Sequence, residues 1–220
     1  TTHFDTLGRP FLVVQDAGDD VLFETKTVLD IEGNPRTIAD ALGRDAMVQK
    51  FDMLGTVVHT VSIDAGERWM LSDVLGAAFR MWDSRDHAIR RDHDALRRPT
   101  HVYVKTGTSD EVLTERVVYG EGHTSAAAQN LRGRGYQHYD SAGVVTTESY
   151  DFKGNLLSSA RRLATAYATD PDWIALATLT DLGDIATAAA SLLETEVFTT
   201  ATAYDALNRP TSITTPDASE

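Results

Sequence analysis

The chain has 220 residues, 42% of them hydrophobic, with a formal net charge of −13 and no cysteine. That composition supports a packed core and excludes disulfides, thiol chemistry and cysteine-based zinc sites. The acidic balance, with a pI near 4.8, argues against nucleic acid and anionic membrane surfaces as partners.

From residue 4 onward one short motif recurs: a bulky or polar residue, Asp, two free positions, usually Gly, then a polar or basic residue and a β-rich run. Its ten copies are anchored on Asp5, Asp30, Asp40, Asp52, Asp73, Asp83, Asp94, Asp140, Asp151 and Asp205. Asp at the first position and Gly at the fourth favour a type I turn, with the carboxylate capping the turn amides and Gly taking positive φ. Between strands this becomes a hairpin corner with a bulge at the Gly. Gly8, Gly33, Gly43, Gly55, Gly76, Gly143 and Gly154 fill that slot, and Asn208 replaces Gly once. Asp86 and Arg97 fill it in two degenerate copies, whose turns are expected to be distorted or differently closed.

The intervening runs, such as 11–14, 56–61 and 100–104, are β-branched and aromatic without helical periodicity. Residues 1–104 therefore read as turn and strand throughout. A hairpin-like pair follows, 101–105 with 112–119, joined by a polar loop at 106–110. Residues 125–131 read as a short helix capped by Thr124 or Ser125 and ended by Gly133. The repeat resumes at Asp140 and Asp151.

From 170 to 194 the sequence turns Ala- and Leu-rich. Asp170-Pro171-Asp172 reads as a helix start, and Asp181 as the cap of a second helix. This helical insertion is expected to lie against the sheet, covering a face or edge. The repeat returns at Tyr204-Asp205. The whole is one segment, 1–220, mostly β: an antiparallel sheet with a short helical insertion. Both ends read as cut from a longer polypeptide, which leaves open strand edges through which self-association is expected.

Tyr119-Gly120-Glu121, Asn130-Leu131-Arg132-Gly133, Tyr150-Asp151-Phe152-Lys153-Gly154-Asn155 and Tyr204-Asp205-Ala206-Leu207-Asn208-Arg209-Pro210 together resemble the Rhs/YD-repeat proteins, in particular the B-component, SpvB-like part of bacterial insecticidal Tc toxin complexes. The resemblance covers essentially the whole chain. It implies a sheet that spirals into a hollow, curved shell around the toxic C-terminal part of a large secreted bacterial protein. The implied partners are the rest of that polypeptide, its enclosed toxin domain and other toxin-complex subunits. The chain departs from a complete family member in lacking a self-cleavage signature, a propeller and a toxin domain.

Sites of chemistry are sparse. His87 and His93 come closest to metal-ligand spacing without a His-Glu-x-x-His frame, and no Gly-x-Ser-x-Gly elbow or phosphate-binding Gly motif is present. No catalytic, cofactor or metal residue is expected, and the chain is not read as an enzyme. Two alternatives stay open. One is a carbohydrate or cell-surface binding module using Trp69, Trp82 and Trp173; the other is a hydrolase built from scattered carboxylates.

Overall fold

The computed structural model describes residues 1–19 and 21–219. Among these, sixteen antiparallel strands are hydrogen-bonded in strict chain order, without a crossover. They are β1 (Thr2–Phe4), β2 (Pro10–Asp16), β3 (Leu22–Leu29), β4 (Pro35–Ala39), β5 (Asp45–Phe51), β6 (Val57–Ser62), β7 (Gly66–Ser72) and β8 (Ala78–Asp83). There follow β9 (His87–His93), β10 (Pro99–Thr106), β11 (Val112–Tyr119), β12 (Gly135–Asp140), β13 (Gly143–Tyr150), β14 (Leu156–Leu163), β15 (Phe198–Tyr204) and β16 (Pro210–Thr214). The fold is a mostly-β open meander, β1 and β16 being the two ends of the strand order.

Packing separates two compact units. The first takes in Thr1–Ile89 with Lys105–Ser109; the second takes in Arg90–Val104 and the chain from Asp110 onward. In the first unit no described residue is buried, and both faces of β1–β8 stay half-exposed. Its strands are held by ladder hydrogen bonds and cross-strand pairs such as Val48 with Val61 and Trp69 with Trp82.

The second unit has a core. Tyr103 of β10, Leu113 of β11, Tyr139 of β12 and Val144 of β13 meet Trp173, Leu176, Ile185, Ala189 and Leu193 from the segment between β14 and β15. Trp173 is fully buried, packs edge-on against Tyr139 at 5.2 Å and donates its Nε1–H to the Asp140 carbonyl at 3.1 Å. Burying apolar surface at this scale is the main source of tertiary stability.

The insertion is less helical than its sequence suggests. Ile174–Leu176 forms only a 3-10 turn, α1 spans Leu182–Ala189, and a 3-10 turn, Ala190–Leu192, follows. The Asp170-Pro171-Asp172 start does not propagate because its backbone is tied to the sheet. Trp173 N–H donates to the Leu113 carbonyl at 3.0 Å, and Leu113 N–H donates to Asp172 Oδ1 at 3.1 Å. Asp181 caps α1, accepting from the amides of Gly183 at 2.8 Å and Asp184 at 3.1 Å.

Residues 125–131 are not a helix. A 3-10 turn, Gly120–Gly122, leads into consecutive turns that close when Leu131 N–H donates to the Ala126 carbonyl at 2.9 Å. Three alanines are too few to offset helix nucleation. Asn130, with φ of 54°, leaves the helical region and donates its Nδ2–H to the Tyr150 carbonyl at 2.9 Å.

Candidate functional site: the aspartate corners

Asp5 shows the corner in full. Its N–H donates to the Arg9 carbonyl at 2.9 Å, and the Gly8 N–H donates to the Asp5 carbonyl at 3.0 Å. Oδ1 accepts from the amides of Leu7 at 2.8 Å and Arg9 at 2.9 Å, while Oδ2 accepts from Arg9 Nε at 2.7 Å. The same Oδ1 pattern, to the residues two and four positions on, recurs at Asp30, Asp40, Asp52, Asp73, Asp151 and Asp205. Gly33, Gly43, Gly55, Gly76 and Gly154 take positive φ there, as does Asn208 at 62°.

The residue four positions after the Asp completes the corner. Arg44, Arg98 and Arg209 pair with the second carboxylate oxygen, Asn34 and Asn155 donate to it through Nδ2, and His87 Nδ1 lies 2.9 Å from Asp83 Oδ2. The motif's basic or polar sixth residue is thus the second half of the cap.

Two corners depart from expectation. Asp86 and Arg97 both adopt φ of 61°, and the Asp83 and Asp94 carboxylates accept the same amides as elsewhere. These turns are closed in the standard way and are not distorted. An L residue in the left-handed region costs about 1–2 kcal/mol, which several hydrogen bonds to one ionised carboxylate offset. Asp140 and Gly143 form a different corner, a hairpin in which the two residues pair directly. Asp140 Oδ1 accepts from Ala142 N–H, both its oxygens bind Arg161, and Gly143 has φ of 129°. A Cβ on Gly143 would lie 2.2 Å from the Arg162 carbonyl oxygen, so the backbones need glycine here.

Because the strands are antiparallel and in order, alternate corners share an edge. In the first unit the corners at Asp5, Asp30, Asp52 and Asp73 lie on one edge, those at Asp40 and Asp83 on the other. Neighbours on one edge touch: the Arg9 side chain packs over Gly33, and the Asn34 side chain over Gly55. In the second unit Arg98 pairs with Glu121 at 2.6 Å, and Glu121 Oε1 accepts from Gly133 N–H at 3.1 Å. Farther along that edge Lys153 Nζ donates to the Ala206 carbonyl at 2.6 Å, and Asn155 Nδ2 to Asn208 Oδ1 at 3.0 Å. Within each unit, neighbouring corners such as these brace one another, the nearest-neighbour coupling of a repeat array.

The electrostatics suit support more than proton transfer. The backbone amide of the arginine four positions on, and then its guanidinium, hold Asp5 and Asp205 below the usual carboxylate range. For Asp40 the Arg44 guanidinium leads. At Asp30, Asp94, Asp140 and Asp151, desolvation pushes upward and the hydrogen bonds outweigh it. A general acid needs the opposite shift. Among the described residues no three His, Asp or Glu side chains group as a metal site; His87 serves its own corner.

The three tryptophans divide. Trp173 is core and cannot reach a ligand. Trp69 and Trp82, directly paired across β7 and β8, remain 39% and 40% exposed beside a depression of about 310 Å³. His59 stacks on Trp69 at 5.1 Å and holds Glu67 at 2.8 Å.

The corner repeat and uninterrupted strand order define an antiparallel YD-repeat sheet. No protein-family profile matches the chain. It is 29% identical over 173 residues to toxin subunit YenC2 of Yersinia entomophaga, a match covering 70% of this chain and 17% of that protein. Its fold matches the crystal structure of TcdB2-TccC3-Cdc42 with a TM-score of 0.84 and 22% identity, over 99% of this chain and 11% of the other. The Photorhabdus luminescens Tc holotoxin pore gives the same TM-score and identity, over 99% and 10%. The chain is thus similar in sequence to a Tc toxin subunit and shares the fold of a segment of the TcdB2-TccC3 structure. It spans about a sixth of the length of the curated relative it matches.

Proposed function

We propose that the chain is a wall segment of a Tc-type toxin shell, a scaffold that encloses the toxic C-terminal part of a larger secreted polypeptide and performs no catalysis itself. The observation that carries this reading is the unbroken sixteen-strand order, with neighbouring corners in contact at several places along one edge. Such an array extends by repetition and gains stability from each neighbour, which suits a wall. The fold match over 99% of the chain supports it, as does the small share of each matched protein that the chain accounts for. Its partners on this reading are the rest of the toxin polypeptide, the enclosed toxin domain and other toxin-complex subunits.

The half-exposed faces of the first unit offer an enclosed, incompletely folded chain weak apolar contacts without a deep pocket. Limited proteolysis of the parent toxin polypeptide tests the reading. A C-terminal toxin domain should survive protease when residues 1–220 are intact. Destabilising replacement of several corner aspartates should expose it. Equal sensitivity of the toxin domain in both proteins contradicts enclosure by this segment.

A further inference from the structure

Arg116 of β11 is directly paired with His101 of β10 and Tyr139 of β12, so the three side chains share one sheet face. Only 6% exposed, Arg116 is the sole buried charged residue among those described. Its Nη2 donates to the Leu179 carbonyl in the insertion, but Nε and Nη1 are buried without a hydrogen-bond partner. No carboxylate pairs with it among the described residues. Less buried arginines of the same unit are neutralised: Arg90 by Asp92 and Glu111, Arg98 by Asp94 and Glu121, and Arg161 by Asp140.

A guanidinium does not shed its proton in proteins, so this charge and its idle donors need a partner. His101 Nε2 is likewise buried without a close partner, although the Ala177 backbone lies within weak hydrogen-bonding range of the ring. The Thr100 hydroxyl donates to the Asp92 carbonyl at 3.1 Å and therefore accepts from His101 Nδ1–H at 3.0 Å. In that tautomer Nε2 can take up a proton, and the hydrogen bond with the Ala177 backbone favours the protonated ring.

We propose that Arg116 and His101 form a proton-linked site for a small monovalent anion, enclosed between β10, β11 and the insertion. The anion accepts from Arg116 Nε and Nη1, and from His101 Nε2 once that nitrogen is protonated. One proton enters with each anion, so the net charge of the site is unchanged. The groups facing the pair are Arg90 and Asp92 of β9, Tyr103 of β10 and Tyr139 of β12; the insertion contributes backbone at Ala177 and Leu179. Burial first, then the Arg116 charge, holds His101 below the ordinary histidine range. Anion uptake consequently strengthens as pH falls. This site is independent of the wall reading.

Thermal unfolding in sodium chloride against sodium gluconate, at equal ionic strength and at about pH 7 and about pH 5, is the test. Tm should be higher in chloride, with a gap of a few degrees that widens at the lower pH. Arg116→Met should abolish the gap. His101→Gln should keep a chloride response and lose its pH dependence, a readout that survives if the Arg116 variant fails to fold. A crystal soaked in bromide should show an anomalous peak beside Arg116. Identical Tm in the two salts at both pH values, or a water alone between Arg116 and His101 with no bromide peak, overturns the proposal.

Discussion

The two units use the same corner and solve stability differently. In the first, eight strands keep their order with no buried side chain, so hydrogen-bond ladders and braced corners carry the structure. In the second, the insertion lays Trp173, Leu176 and Ile185 over Tyr103, Leu113 and Tyr139 and creates a sealed core. The difference teaches that the corner repeat specifies strand order, while local stability follows from whether a face is covered. An array that needs cover only in places can leave other faces free, which is what a wall requires.

The sharpest way to break this comparison is Trp173→Ala. Emptying a fully buried indole site should cost about 3–5 kcal/mol in denaturant unfolding. Amide exchange should accelerate in β10–β13 and stay unchanged in β2–β6. A loss below about 1 kcal/mol would show that the insertion is not the core's cover.

Two glycines of the same motif sharpen it further. Gly143→Ala drives a methyl into the Arg162 carbonyl and should cost more than about 3 kcal/mol, whereas Gly8→Ala meets nothing within 4 Å and pays only for its φ of 76°, about 1 kcal/mol. Equal costs would mean that the two corners are the same structure. Arg97→Gly is expected to go the other way, with a gain of up to about 1 kcal/mol from relieving φ of 61°. A loss in Tm for that variant would show that the Arg97 side chain contributes more than its backbone strain costs.

The smallest effect is in acid. The His87 imidazole, and then the amides of the turn, hold the Asp83 carboxyl at about 2, against an ordinary value of 3.8. A lowered folded-state value means that this corner's contribution is complete above pH 3.8 and is lost as pH falls toward 2. Unfolding of Asp83→Asn should therefore show a shallower acid limb than the parent across that window. Superimposable limbs would remove Asp83 from the linkage.

The corners were legible because the turn chemistry is local: an Asp, a left-handed slot and the next residue's polar head lie within six positions. The sequence pattern overrated the need for glycine, since Asp86 and Arg97 close their turns as Gly8 does. It also overrated the helices at 125–131 and after Asp170. In both places long-range backbone bonds, Tyr150 N–H to the Gln129 carbonyl and Trp173 N–H to the Leu113 carbonyl, took groups that a helix would have used. The sharing of an edge by alternate corners follows from strand parity, yet the brace from Arg98 to Glu121 needs coordinates. Nothing in the local sequence marks Arg116 as buried, because its burial is supplied by a segment some sixty residues farther on.

A cryo-EM reconstruction of the toxin polypeptide that carries this chain, with its cargo in place, tests the wall most directly. Residues 1–220 should appear as sixteen adjacent strands within the enclosure, one face toward the cargo. Finding them outside the enclosure, or paired in another order, would contradict it.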